Sequence, residues 1–398
     1  MSDLKLSRRQ FLEKMTASEP HVQIEQMPSE TPGMERFASM PEITLQGGLD
    51  PYTGPWTRAE ASHLLRRVTF GLKKAQVDQI LALGSAAAAV DAVLDVPTDP
   101  PAPPINNYNN PNGPIPFIDE EVASGETWVN VPFDPEYLLA EGFRTESWRG
   151  WWLNRMIEGE ANIQEKMTLF WHNHFATITD AVFHARSVYN HHKMLRSHAL
   201  GNFKAFVKAV TIDPMMLYFL NGYLNNVAAP DENYARELQE LFTVGKDGAS
   251  TYSEDDVVAA ARVLTGWTLN PATLETVFIP SLHDAGLKVF SSYYNNTVLQ
   301  GSSNGEADLD ALLNMIFQKE DVALHICRKI YRFFVYYKID EDVEQNVIVP
   351  MAQIFRDSNY EIRPVMRALL LSEHFFDATN KGCQIKNPLD LLVGLLRN

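Results

Sequence analysis

Six of the 11 histidines in this chain fall between residues 172 and 198: His172, His174, His184, His191, His192 and His198. The densest stretch is Phe170-Trp171-His172-Asn173-His174-Phe175, where two imidazoles sit two residues apart among aromatic rings. Imidazole is the commonest metal ligand and the usual proton carrier near neutral pH. Two other groups could join them. In Asp231-Glu232-Asn233-Tyr234-Ala235-Arg236-Glu237-Leu238-Gln239-Glu240, Glu237 and Glu240 are three residues apart. On a helix that puts them about 60° apart, close enough to share a cation or to divide acid and base roles. Arg236 lies beside them. His283-Asp284, in a segment without clear periodicity, can supply ligands or a proton relay. Each group also has a plainer reading: hydrogen-bonded core histidines, a solvated acidic flank with Arg236 as its ion-pair partner, and an ordinary loop pair.

The elements that carry these residues limit what they can do together. Ile163, Met167, Phe170, Trp171 and His174 recur at helical spacing and form one stripe, whereas His172 falls on the opposite face with Glu165 and Thr168. A regular helix therefore cannot aim His172 and His174 at one ion; joint ligation requires the helix to end or bulge at Asn173. Helical patterning opens at Thr57, a good N-cap, and continues over residues 58–68, 74–83, 85–94, 144–158, 161–174, 187–199 and 202–211. Asp231 caps a helix over 232–243 that Gly245 stops; Ser253 with Asp256 makes a capping box for 254–265, which Gly266 ends. Further helices are expected at 306–318, 321–337, 342–357, 361–371 and 386–396. Residues 95–135 are rich in Pro and Asn and read as a long surface insertion, functional or mobile. Residues 268–305 look irregular, with short strands expected near Thr276–Ile279 and Val289–Phe290. The expected fold is mainly α: one large multi-helical domain over 56–398 with that loop insertion and a small irregular or β excursion, preceded by an extended or disordered arm over residues 1–55.

Bulk composition narrows the function classes. The chain has 398 residues, 45% hydrophobic and 21% charged, enough for a large core without disulfide or metal staples. A net charge of −16 argues against non-specific binding to nucleic acid or anionic membranes. No apolar run reaches 18 residues, so no transmembrane helix is expected. Of the two cysteines, Cys327 reads as a buried thiol. Walker, dinucleotide-binding, GxSxG, HExxH and CxxC signatures are missing from the sequence. Near the start, Ser7-Arg8-Arg9-Gln10-Phe11-Leu12 has the form of a twin-arginine export motif, but polar residues follow where a signal peptide carries an apolar stretch.

Several ordered segments together resemble one family. They are His63-Leu64-Leu65-Arg66-Arg67-Val68-Thr69-Phe70-Gly71, Glu165 to Phe175, His198 to Phe203, Glu232 to Leu238, Leu264-Thr265-Gly266-Trp267 and His283-Asp284. The chain from about residue 57 onward is similar to the bacterial family catalogued as domain of unknown function 1800 (DUF1800). The resemblance implies no established activity. It implies export, hence a periplasmic or extracellular place, and a sulfatase-like partner protein. The export motif without its apolar region leaves a cytoplasmic location open. Family members usually continue into a proline- and tryptophan-rich tail, so a chain stopping at Asn398 reads as a fragment or as having lost it. His172, His174, Arg236, Glu237, Glu240, His283 and Asp284 all fall on the family's segments.

Two functional expectations follow. In the first, the chain is a metal-dependent enzyme of the bacterial envelope. His172, His174 and His283 ligate a divalent transition metal, and Glu237, Glu240, Arg236 and Asp284 act as catalytic groups. A mixed imidazole and carboxylate set suits Zn, Fe or Mn better than Ca or Mg. The ion would activate water for hydrolysis or bind oxygen. In the second, the chain is a non-catalytic envelope or surface-assembly module, and the same residues are buried polar networks that specify the packing.

Overall fold

Thr57 opens the first helix of the described residues through a full capping box with Glu60, satisfying two of the amide groups that a helix start leaves unpaired. In the computed structural model, which describes residues 47–398 apart from 183, 247–251 and 398, this helix is the first of a long α series. The twin-arginine-like motif and most of the expected arm lie outside the described residues. Among the described residues ahead of the first capped helix, 50–53 run along the turn at 371–373. There Tyr52 N donates to Leu371 O (2.8 Å) and Glu373 N to Asp50 O (2.8 Å).

The helices are α1 (Arg58–Val68), α2 (Lys74–Leu81), α3 (Ala86–Leu94), α4 (Leu138–Glu158), α5 (Gln164–His174), α6 (Thr179–Val182), α7 (Ala185–Ser197), α8 (Phe203–Thr211), α9 (Pro214–Phe219), α10 (Asn233–Glu237) and α11 (Glu254–Val263). After the irregular segment come α12 (Gly305–Ile316), α13 (Glu320–Phe334), α14 (Glu341–Val343), α15 (Val349–Asp357), α16 (Ile362–Leu371), α17 (Glu373–Phe376) and α18 (Pro388–Arg397). Between α11 and α12 lie two antiparallel pairs, β1 (Trp267–Leu269) with β2 (Thr276–Phe278) and β3 (Lys288–Val289) with β4 (Val298–Leu299). The protein is mainly α. The strands expected near residues 276 and 289 are present, each in a two-stranded ribbon. The short helices α6, α9 and α17 escape periodicity because so few residues cannot display a face.

Two apolar cores share α5. Met167, Phe170 and Trp171 enter the larger core with α1, α8 and α13; Leu169 enters a smaller one with Trp148, Trp152 and Met156 of α4 and Val188 of α7. Sandwiched this way, α5 is buried from Gln164 to Trp171: Glu165 and Thr168, expected opposite the apolar stripe, are buried too, and only Asn173 near the end is exposed. Thr168 satisfies its hydroxyl on Gln164 O (2.8 Å), and Glu165 pairs with Arg196 and accepts from Trp152 Nε1 (3.2 Å).

The Pro/Asn-rich insertion is not a loose flap. Asp119 reaches α4 and takes two hydrogen bonds from Arg144 (2.9 and 3.0 Å), and Glu121 takes a third (2.8 Å). Glu141 adds a fourth contact at 3.0 Å. Arg144 is 2% exposed, so this planar, forked cation organises the buried carboxylates of Asp119 and Glu141 together with the exposed Glu121 and fastens the insertion to the helical body. Its first residues, 96–101, then run over α4, α5 and α7, where they form one wall of the cavity described below.

Candidate functional site

Helix α5 remains regular through His174, with Phe175 N closing its last turn on Trp171 O (2.8 Å). It neither ends early nor bulges at Asn173, so His172 and His174 diverge as the helical wheel requires. His174 is buried in the larger core. Its Nε2 meets Phe242 O at 3.1 Å and its Nδ1 meets Lys329 Nζ at 3.1 Å. Burial, with the nearby Lys329 and His325, holds it neutral well below the ordinary histidine range. Both ring nitrogens are thus committed to protein partners.

His283 is likewise committed. Gly266, at φ +89°, turns the chain from α11 into β1 and leaves space that a Cβ would lose, 3.0 Å from His283 Cβ. Against this turn His283 Nδ1 lies 2.8 Å from Thr265 O, and Nε2 lies 2.9 Å from Asp308 Oδ2. Asp284 accepts from Arg262 Nε (2.7 Å) and Gly286 N (2.7 Å). Despite partial burial, these donors and the Arg262 charge keep its carboxyl below the usual range. His283 and Asp284 act as cross-braces between α11, the ribbon and α12.

Arg236 pairs with Glu254 (2.7 and 2.8 Å) and Glu232 (3.4 Å), and Glu240 pairs with Lys246 (2.7 Å). After Glu237 the helix widens into a π turn over Leu238–Thr243, which splays Glu237 and Glu240 further than an α-helical wheel implies. Burial and the Glu240 charge raise the Glu237 carboxyl.

The three expected ligands therefore do not gather. His174 and His283 have separate partners, and His172 faces a third environment. Among the described residues, no group of three or more His, Cys, Asp or Glu is placed to hold a metal ion. The physical reason is the regular helix at α5 together with the saturated hydrogen bonding of His174 and His283.

His172 instead faces the smaller core, where its ring packs on Trp152 at 5.2 Å. Trp152 also touches His192 (4.5 Å), which is enclosed further by Trp148 (5.8 Å) and Trp151 (5.4 Å). His192 is 1% exposed, and neither of its ring nitrogens has a protein hydrogen-bond partner. Its neighbour His191 donates Nδ1–H to Asp213 Oδ2 (2.8 Å), while its buried Nε2 is also unpartnered. Asp213 is fixed in turn as the N-cap of α9, accepting from Met216 N at 3.0 Å. A carboxylate on Nδ1 sets the ring's orientation and leaves Nε2 as the working nitrogen. Burial keeps His192 neutral well below the ordinary range and brings His172 down to about 4, with His191 adding to both effects. Buried polar atoms without a partner are uncommon and cost free energy unless a water or ligand meets them. Here several cluster in one tryptophan-lined nest.

The nest opens at His192 into a cavity of about 400 Å³, the size of an ordinary small-molecule site. Trp151 and Tyr189 form aromatic walls. The Trp151 ring is held by a hydrogen bond from its Nε1 to Ala102 O (2.8 Å), so the Pro-rich segment both covers the cavity and orients the ring. Lys193, Arg196 and Arg363 supply positive charge at its edges.

From sequence, His191 and His192 belong to the histidine cluster without standing out within it, and Asp213 lies in no chemistry-bearing motif. The available signals were the His191-His192 pair on an α7 that faces three α4 tryptophans, and an Asp-Pro helix start at Asp213-Pro214. Neither shows which side of α7 is covered until α4 is in place.

Fold and site define a mainly helical protein with a small-molecule-sized cavity that the buried imidazole of His192 lines. The chain belongs to the family described as Protein of unknown function (DUF1800), which it matches over residues 63–398. No curated protein and no solved structure matches it. No helix among the described residues is long and apolar enough to cross a membrane.

Proposed function

We propose that this chain binds a small organic molecule in the cavity between α4, α5, α7 and the Pro-rich segment, with His192 as its polar contact. The carrying observation is that His192, almost fully buried where it lines the cavity, has two ring nitrogens that no protein group satisfies. A neutral imidazole offers one donor and one acceptor, so it can both orient a hydroxyl or carbonyl and exchange a proton with it. His191, oriented by Asp213, and His172 lie behind it as further imidazoles. On this reading His174, His283, Asp284 and Arg236 brace the helices, which accords with the packing role weighed from sequence. The ligand chemistry moves to residues adjacent to the histidine motif.

The test is a titration with phenol, a neutral ring with one hydroxyl, followed by the ring signals of ¹⁵N-histidine-labelled full-length protein. Saturable movement of the His192 signals, lost in His192→Phe, is the expected result. Phenol leaving those signals unmoved at millimolar concentration would remove the pocket reading. A His192→Gln variant guards against a folding defect, since it restores a donor and an acceptor.

A further inference from the structure

The walls of this cavity also carry a charge balance opposite in sign to the chain's net charge. The whole protein bears a net charge of −16, so its long-range field repels anions. Around the cavity the balance reverses: Lys193, Arg196 and Arg363 line it against one carboxylate, Asp99. The three cations are held differently. Arg196 is half-committed, with one amino group on the buried Glu165. Arg363 comes from α16 and donates one amino group to Leu94 O, the last residue of α3, which fixes the guanidinium at the rim. Lys193 is exposed on α7, one residue after His192, and makes no hydrogen bond or ion pair among the described residues. Most of the remaining wall is flat or apolar, from Trp151, Tyr189, Leu200 and prolines, with Thr98, Gln164 and Ser197 adding neutral polar groups.

We infer that the cavity selects a small organic anion, a flat or apolar body carrying one carboxylate-like group. The body would lie against Trp151 and Tyr189, and the anionic group would meet Lys193 and Arg363. The chemistry follows from the two kinds of wall. A guanidinium pairs with a planar carboxylate in fork geometry, and an ammonium adds a point charge. Aromatic faces supply most of the contact area for a flat ligand at little entropic cost. Polar anions such as phosphate alone would leave the aromatic walls uncovered, and neutral rings would leave the cations unused. This inference rests on the pocket reading above and adds the ligand's charge.

The experiment compares benzoate with benzyl alcohol, which have the same ring and differ in the anionic group, by calorimetric titration of the full chain at low salt. Benzoate should bind at least tenfold more tightly, and the ratio should shrink in 0.5 M NaCl because the cations are at the rim. In Lys193→Gln/Arg363→Gln the benzoate affinity should fall about tenfold and that of benzyl alcohol less than twofold. Arg196 is left in place because its loss would strand Glu165. Equal affinities for the two ligands in the wild type would overturn the charge selection while leaving the pocket reading intact. So would an equal loss for both in the double variant. Failure of both ligands to bind would remove the pocket reading, and this inference with it.

Discussion

Acid should unfold this protein through its histidines, and two of them allow the size to be worked out. His63, on α1, is 5% exposed with Nε2 2.9 Å from Phe375 O; burial and the Arg67 charge bring it down to about 3. His184, at the start of α7, is 2% exposed with Nδ1 2.6 Å from Ser187 Oγ; burial, Arg186 and Arg144 bring it down to about 4. In the unfolded chain both rings protonate near the ordinary value, about 6.5. Between that value and the folded one, the unfolded state binds more protons, so stability falls as pH falls. Above about pH 6.5 the contribution of each ring is fully present. At pH 5 each has lost about 1.5 pH units' worth, or about 2 kcal/mol, and the pair about 4 kcal/mol. Domains of ordinary stability have only about 5–15 kcal/mol in total. Urea unfolding at pH 7.5 and pH 5.0, followed by tryptophan fluorescence, measures the loss. In His63→Gln/His184→Gln, where neither residue titrates, the drop between the two pH values should shrink by about 4 kcal/mol. If the double variant loses as much stability on acidification as the wild type, these rings are not held neutral by burial and the reasoning fails.

Other perturbations separate bracing from ligand chemistry. His174→Ala strips partners from Phe242 O and Lys329 and should cost about 1–3 kcal/mol in chemical unfolding, unchanged by added zinc; a zinc-dependent midpoint in the wild type would restore the metal reading. Arg144→Met strands Asp119 and Glu141 out of water and should cost about 3–5 kcal/mol. Arg144→Lys should recover little of this, because an ammonium cannot reproduce the fork; thermal melting of both variants checks it. Trp171→Ala removes a fully buried ring that stacks on Phe203 at 5.4 Å and donates to Ala199 O, with an expected cost of about 3–5 kcal/mol in denaturant unfolding. Gly245→Ala forces a side chain at φ +81° and sets its Cβ 2.5 Å from His325 Nδ1; a melting temperature equal to wild type would show that this turn is not tight.

The chain's local patterns settle most of its elements. Thr57 with Glu60 and Ser253 with Asp256 form the capping boxes their spacing implies, because a cap involves only residues within one turn. Gly245 and Gly266 end their helices in the left-handed backbone that glycine alone adopts freely. The divergence of His172 and His174 is also a local fact, since the period of the helix dictates it once α5 is known to be regular. The family is readable too, because its motifs are continuous stretches of chain.

The tertiary structure decided the rest. That α5 is buried on both faces from Gln164 to Trp171 depends on two cores meeting across it, and no periodicity in α5 itself reports a second neighbour. The insertion's attachment through Asp119 to Arg144 spans 25 residues and is a long-range pairing of charges that each look solvated alone. The site was displaced from the sequence expectation for the same reason. His174 and His283 are saturated by Phe242, Lys329, Thr265 and Asp308, partners supplied by other elements. His192 is left unsatisfied because the α4 tryptophans that surround it have no acceptor to give. Residue type and spacing mark which side chains are able to do chemistry; whether a nitrogen is already occupied depends on groups distant in sequence, which only the folded chain brings within hydrogen-bonding range.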